Sequence, residues 1–256
     1  MADPIIRVSG LVTRFGPQTV HDGVDLEVRQ GEVLGVVGGS GTGKSVLLRA
    51  IIGLLRPSAG RIEVFGEHLG ALDPDRRRLL ERRWGVLFQN GALFSSLSVA
   101  ENVEAPMREH TDLPQGLMNE LAGLKIAMVG LPADAAPKYP SELSGGMRKR
   151  AGLARALALD PEIVFLDEPT AGLDPIGAAQ FDELIGELSR ALGLTVVMVT
   201  HDLDSLYAIC DRVAVLADHK VLSVAPVREL ERHDHPWIRE YFHGPRARAA
   251  RDSEAE

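Results

Sequence analysis

The stretch GGSGTGKS, Gly38 to Ser45, decides the fold, because it sits between a short apolar run, VLGVV at Val33 to Val37, and a densely apolar segment from Ser45 to Leu55. An apolar run ending in glycines reads as a buried parallel strand, and the segment after it reads as a buried helix. A turn of the form G-x-x-x-x-G-K-[ST] in that context is a phosphate cradle. The backbone N–H groups of Gly38, Gly39, Ser40, Gly41, Thr42 and Gly43 are expected to wrap a β-phosphate. Lys44 then bridges the β- and γ-phosphates, and the Ser45 hydroxyl ligates Mg²⁺. The turn RPSAG closes this first unit.

Two further apolar runs end on chemistry. Ile163 to Leu166 delivers Asp167 and Glu168, and Thr195 to Val199 leads to His201. Asp167 is expected in the Mg²⁺ shell, whereas Glu168 polarises a water for attack on the γ-phosphorus. His201 either contacts the γ-phosphate or holds the water and Glu168 in place; alone, such a histidine is more often structural. Gln89, after VLF, offers a neutral polar group to Mg²⁺ or the water, or is a surface residue. Phe15 in TRFGP either stacks on adenine or packs in the core. Strand, helix and strand in succession predict a parallel sheet with ligands at the carboxyl ends of its strands.

The remaining sequence sets bounds. A chain of 256 residues with net charge −8 argues against a general nucleic-acid binder, since backbone-phosphate affinity is supplied by Lys and Arg. The single cysteine, Cys210, excludes an internal disulfide and a cysteine metal cage, and its neighbours suggest a packed thiol. The start MADPIIRVSG lacks the marks of a signal peptide, and no run approaches the ~18 apolar residues of a membrane span. The expectation is a cytosolic protein whose membrane role comes through a partner. Val99 to Ala136 reads as mostly helical, broken by PMREHTDLPQG. HPWIREYF places Trp237, Tyr241 and Phe242 on one side of a short helix, as core or as a latch for another chain. His233 and His235 lack the further ligands a metal needs. The last residues, GPRARAARDSEAE, read as a solvated tail.

A second anion site stands at LSGGMRKR, Leu143 to Arg150, where Ser144, Gly145 and Gly146 precede a helix. Helix N-termini offer unpaired N–H groups and roughly half a positive charge, and glycines let a phosphate approach. The ordered set GGSGTGKS, Gln89, LSGGM, LDEP, AGLDP and TH resembles the ATP-binding-cassette ATPases over nearly the whole chain. That resemblance implies an α/β P-loop NTPase with a RecA-like parallel-sheet core, an N-terminal antiparallel β subdomain and an inserted α-helical signature subdomain at about 97–158. The cassette then runs over 1–242 and the tail over 243–256. In that family two copies meet head to tail, so Ser144, Gly145, Gly146 and Asp174 would serve the nucleotide on the other copy. Met147 stands where glutamine is usual, leaving the serine hydroxyl and glycine amides intact.

A narrower likeness lies in FQNGALFSSLSVAENVEAPMREHTDLP, Phe88 to Pro114, which resembles the ATPases of MCE-associated transporters, most of all those of the Mla phospholipid branch. It implies ATP and Mg²⁺, an integral-membrane permease, an MCE-domain protein ring and a small STAS-domain protein, with the chain peripheral at the cytoplasmic face of the inner membrane. AGLDP is the generic cassette form, so sister branches for sterols or organic solvents stay open. So does a soluble cassette ATPase, which would carry tandem cassettes or long coiled-coil inserts. Leu93 and Phe94 offer apolar contact to a permease helix, with Arg108 at its rim, or pack within the helical subdomain.

Overall fold

The computed structural model describes residues 4–244, which form two compact units, 4–77 with 195–244 and 78–194. The first unit opens with two long strands, β1 (Ile6–Phe15) and β2 (Gln18–Val28), which alternate buried and exposed residues along much of their length. That alternation marks a sheet with one covered face. They pair antiparallel, and β4 (Ala59–Val64) and β5 (Glu67–His68) complete a sheet in the order β2-β1-β4-β5.

By contrast, β3 (Val33–Val37) and β8 (Thr195–Val199) are buried at every position, as parallel strands covered on both faces must be. Parallel pairing joins β3 to β8 on one side and to β9 (Arg212–Ala217) on the other, and β10 (Lys220–Ala225) adds antiparallel to β9. Arg212 clamps this arrangement with a two-pronged ion pair to Glu32, at 2.7 and 2.8 Å. Helix α1 (Lys44–Ile51) follows β3 and is shorter than the segment to Leu55 predicts. Gly53 adopts φ 79° and ends it: the Gly53 amide donates to the Ala50 carbonyl and the Leu54 amide to the Arg49 carbonyl, a left-handed glycine cap.

Among the described residues the last helices, α7 (Leu203–Ile209), α8 (Val227–Leu230) and α9 (Pro236–His243), pack into one cluster with Val37, Val213 and Val215. Here the aromatic stripe divides. Ile238 and Phe242, one turn apart, are fully buried, while Trp237 and Tyr241 stack at 5.0 Å on the cluster's half-buried rim. Cys210 packs against the same cluster. Of the charged tail expected from residue 243, His243 closes α9 and residues 245–256 lie outside the described residues.

In the second unit, β6 (Trp84–Leu87) and β7 (Ile163–Asp167) pair in parallel. Between them come α3 (Val99–His110), α4 (Gln115–Met128) and α5 (Gly145–Ala156), and α6 (Pro175–Leu192) follows β7. Helix α2 (Pro74–Glu81) precedes β6. The predicted break at PMREHTDLPQG is confined to Thr111–Pro114, since Pro106 lies inside α3. Its lost hydrogen bond is outweighed by a capping box, Ser98 with Glu101, and by the buried face Val99, Val103 and Met107.

Close packing between β6 and α5 depends on a glycine at Gly85. A β-carbon at Gly85 would lie 2.0 Å from the Ala156 carbonyl oxygen, whereas one at Gly123, on the exposed face of α4, meets nothing within 4 Å. Gly85→Ala should therefore destabilise the protein by about 3 kcal/mol, the upper range for overpacking. Gly123→Ala should stabilise it by about 0.5–1 kcal/mol by favouring helix. Denaturant unfolding of the two variants beside wild type checks both signs.

Candidate functional site

The first unit joins β3 to α1 through the glycine turn in which the sequence predicts a phosphate cradle. Gly41 and Gly43 take φ 80° and 98°, turning the chain so that α1 begins at Lys44. No side chain caps that N-terminus, and its first turn holds no acidic residue. The helix thus presents backbone amides and the positive end of its dipole without a built-in anion. The Lys44 ammonium folds over the loop and donates to the carbonyls of Gly38 at 2.8 Å and Gly39 at 3.1 Å. The Thr42 hydroxyl donates to Gly39 at 2.9 Å and braces the turn. Ser40 and Gly41 are exposed at its tip, and Ser45 is half-buried at the helix start.

Parallel register brings His201 to the same end of the sheet. Val36 pairs with Val199, and Gly38 and His201 each stand at the second position beyond. The exposed His201 follows Thr200, whose amide donates to the Val36 carbonyl at 3.2 Å. Phe15, at the end of β1, is 49% exposed. Its ring is therefore available for stacking and is not part of the core.

Beneath the cradle lies a residue that the sequence pattern does not single out. His21 is wholly buried, with Nδ1 2.8 Å from the Thr13 hydroxyl. Its Nε2 is buried against Gly43, where a β-carbon would stand 2.6 Å away. Burial pushes the imidazole down to about 4; the Gly43 backbone opposes this and the nearby His219 adds to it. A neutral ring packed under the last glycine of the loop gives Gly43 a second reason to lack a side chain. No spacing or composition rule points to it, because a lone histidine in a strand carries no motif.

The second unit repeats the register device. Leu87 pairs with Leu166, so Gln89 and Glu168 are the second residues beyond paired positions. Asp167, the last residue of β7, is 6% exposed, and Glu168 is half-buried. Glu168 adopts φ 51°, a left-handed conformation that costs a non-glycine residue about 1–3 kcal/mol unless its surroundings hold it. Lys149, buried on α5, donates to the Glu168 carbonyl at 2.9 Å and to the Gln89 carbonyl. Burial pushes its ammonium down, and the charges of Glu168 and Asp167 push it back up.

Ser144 is the N-cap of α5, its hydroxyl accepting from the Met147 amide at 3.2 Å. Ser144 and Gly145 are exposed, and a β-carbon at Gly145 would meet nothing within 4 Å. Gly146 lies beside Leu173, which brings this helix start near Asp174, the exposed N-cap of α6 whose carboxylate accepts from the Gly177 amide at 2.9 Å.

Phe94 is 55% exposed and Leu93 half-buried. The buried Asn102 holds this loop, accepting from the Phe94 amide and donating to the carbonyls of Phe94, Leu97 and Ser98. Arg155 lies 5.8 Å over the Phe94 ring and donates to the Gly91 and Ala92 carbonyls. Arg108 pairs with Glu104 one turn earlier on α3. Among the described residues no cluster of three or more His, Cys, Asp or Glu forms a metal cage, His233 and His235 included.

Residues 21–171 match the model of the ABC transporter family. The chain belongs to that family. It is 41% identical to the intermembrane phospholipid transport system ATP-binding protein MlaF of Escherichia coli over 229 residues, which are 90% of this chain and 85% of MlaF. It is 40% identical to the probable ribonucleotide transport ATP-binding protein mkl of Mycobacterium tuberculosis, over 94% of this chain and 67% of that one. An ATP-binding cassette solved as a dimer in a post-hydrolysis state with ADP and Pi superposes with TM-score 0.79 at 29% identity, covering 86% of this chain and 98% of that chain. The fold is that of an ABC ATPase, mixed α/β with an antiparallel β subdomain and a parallel-sheet core. The chain is accordingly an ATP-binding, ATP-hydrolysing subunit of a transporter; such cassettes dimerise and work with membrane permeases. Among the described residues no helix is long and apolar enough to cross a membrane.

The buried His21 makes stability depend on pH with a definite sign. In the unfolded chain the ring takes a proton near 6.5, and in the folded chain only near 4. Between those values the unfolded state binds more protons, so stability falls as pH drops through the window, by up to about 1.4 kcal/mol per pH unit; above it both states are neutral and this slope vanishes. Denaturant unfolding from pH 7.5 to 4 should show a shallower loss in His21→Leu than in wild type. Equal slopes would contradict a neutral ring under the loop.

Proposed function

We propose that the chain powers phospholipid movement between inner and outer membranes, working from the cytoplasmic face of the inner membrane through a separate permease. The observation that carries this reading is the likeness to MlaF across most of both chains. The sequence likeness of Phe88 to Pro114 points the same way and adds an MCE-domain ring and a small STAS-domain protein as partners.

In this reading the amides of Gly38 to Gly43 and the Lys44 ammonium bind the phosphates of ATP, and Phe15 stacks on the adenine. The donors present fit Mg²⁺, which prefers one or two protein oxygens plus phosphate and water to an all-protein cage. By their places in the motifs Ser45, Asp167 and Gln89 would supply its protein oxygens, and it would neutralise charge on the phosphate oxygens. Glu168 accepts a hydrogen bond from the attacking water and His201 orients it. Water oxygen bonds to the γ-phosphorus as its proton passes to Glu168, the bond to the β–γ bridging oxygen breaks, ADP and inorganic phosphate leave, and Glu168 returns the proton to solvent. Ser144, Gly145, Gly146 and Asp174 act on the nucleotide of a second copy, so hydrolysis requires the dimer. Leu93, Phe94 and Arg108 form the permease contact, with Phe94 displayed on a loop that Asn102 and Arg155 hold in place.

The test uses the transporter captured through a tag on this chain and reconstituted in vesicles. Wild type should hydrolyse ATP and move labelled phospholipid in an ATP-dependent way. Lys44→Ala should lose tight ATP binding, whereas Glu168→Gln should bind ATP and hydrolyse it at least about a hundredfold more slowly, as expected when base assistance is lost. Phe94→Asp should bind ATP but fail to co-purify with the permease, because it places a charge in a desolvated contact. ATP-dependent uptake of a ribonucleotide with no phospholipid transfer would overturn the cargo assignment, and equal ATP affinity of Lys44→Ala and wild type would overturn the phosphate site.

A further inference from the structure

Two turns of backbone in the second unit are fastened to one helix, α5. Lys149 stands about one and a half turns after the Ser144 cap, 5% exposed, and its ammonium donates to two main-chain carbonyls, those of Gln89 and Glu168. Arg155, further along the same helix, donates to the carbonyls of Gly91 and Ala92. At Gly152, between them, a β-carbon would lie 3.1 Å from the Gly91 α-carbon, so helix and turn touch with no side chain interposed. The turn after β6 and the turn after β7 therefore share one donor, and that donor rides on the helix whose first residues form the second anion site.

Glu168 is the residue most in need of such a hold. Its φ of 51° is a conformation that a residue with a side chain leaves unless neighbours oppose it. The local bond from the Ala171 amide to the Glu168 carbonyl is long, 3.3 Å, while the bond from Lys149 is 2.9 Å and charge-assisted. A rotation of the Glu168 peptide would break the Lys149 bond and swing the carboxylate with it. An ammonium is also a costly group to bury for packing alone, since burial disfavours its charge.

We propose that Lys149 is a positioning residue for hydrolysis: it fixes the Glu168 main chain so that the carboxylate is set for the attacking water, and ties that placement to Gln89 and to the start of α5. This rests on the assignment of Glu168 made above. The consequence is mechanical. Displacing α5 by contact at Ser144 moves the anchor of Glu168, so turnover responds to occupancy of the second anion site while ATP affinity at the cradle, which Lys149 does not touch, stays the same.

The test measures steady-state hydrolysis of Mg-ATP, equilibrium ATP binding and thermal unfolding on the chain in its assembled transporter. Lys149→Met, of similar length and without a donor, should lower kcat at least tenfold with ATP affinity within about threefold of wild type and the unfolding transition retained. Lys149→Arg, which keeps donors able to reach both carbonyls, should recover kcat to within about threefold of wild type. Normal kcat in Lys149→Met would overturn the proposal. So would loss of ATP affinity or of the folded state in parallel with kcat, which would leave the lysine a packing residue, and so would a folded Lys149→Arg that does not recover. Wild type and Glu168→Gln run in the same assay; if Glu168→Gln keeps wild-type kcat, the assignment of Glu168 fails and the Lys149 proposal falls with it.

Discussion

The turn proposed as a phosphate cradle depends on Gly38 having no side chain. A β-carbon there would lie 2.3 Å from the Leu216 carbonyl oxygen and 2.7 Å from the Thr42 hydroxyl, so any other residue would push the loop off the end of β9. That contact lets β3 run straight from a fully buried strand into a turn against its neighbour. The turn then reaches Lys44 with the helix amides pointing outward. His21 under Gly43 and the glycine cap at Gly53 fix the other side and the far end of the same element. The chemistry of the first unit follows from these three approaches of backbone to backbone or ring.

Strand register supplies the remaining order. Buried parallel strands cannot carry polar groups along their length, so polar residues collect where the strands stop. Pairing of Val36 with Val199 and of Leu87 with Leu166 makes each pair of sequence motifs coincide at one sheet end, although the members are separated by long stretches of chain. The carboxylate of Asp167 is buried as the last residue of its strand, and Glu168 is turned by its unusual φ. Adjacent residues in sequence thus receive different surroundings, which is what separate metal-binding and water-activating roles require.

Much of this was legible in the sequence because it is carried by residue types at fixed spacing: the glycines and lysine of the cradle, the strand-ending Asp167 and Glu168, and the Ser144 cap ahead of a helix. Element ends were less legible. The expected helix from Ser45 to Leu55 stops at Ile51 because a glycine at Gly53 reverses the chain, and Pro106 sits inside α3 because a capping box and a buried face outweigh one missing hydrogen bond. Ile238 escaped notice among louder aromatics, although with Phe242 it forms the buried edge of α9. His21, Asn102, Lys149 and Arg155 were not legible at all. Lys149 and Arg155 act on main-chain atoms of distant residues, Asn102 on those of the loop just before it, and His21 packs under a glycine, and such contacts leave no pattern in a sequence. The polar groups that position the motifs are read only from coordinates, whereas the motifs themselves are read from letters.

The central claim is that the two anion sites of one chain serve two different nucleotides, the cradle its own and the start of α5 that of a second copy. The most direct measurement co-assembles Ser144→Arg chains with Lys44→Ala chains in one transporter and counts occluded ATP per complex. Either variant assembled alone damages both composite sites, while the mixed complex leaves one site with an intact cradle and an intact signature and concentrates both lesions in the other. The account predicts occlusion of about one ATP per mixed complex and none in either pure assembly. Assembled mixed complexes that occlude no ATP would contradict it.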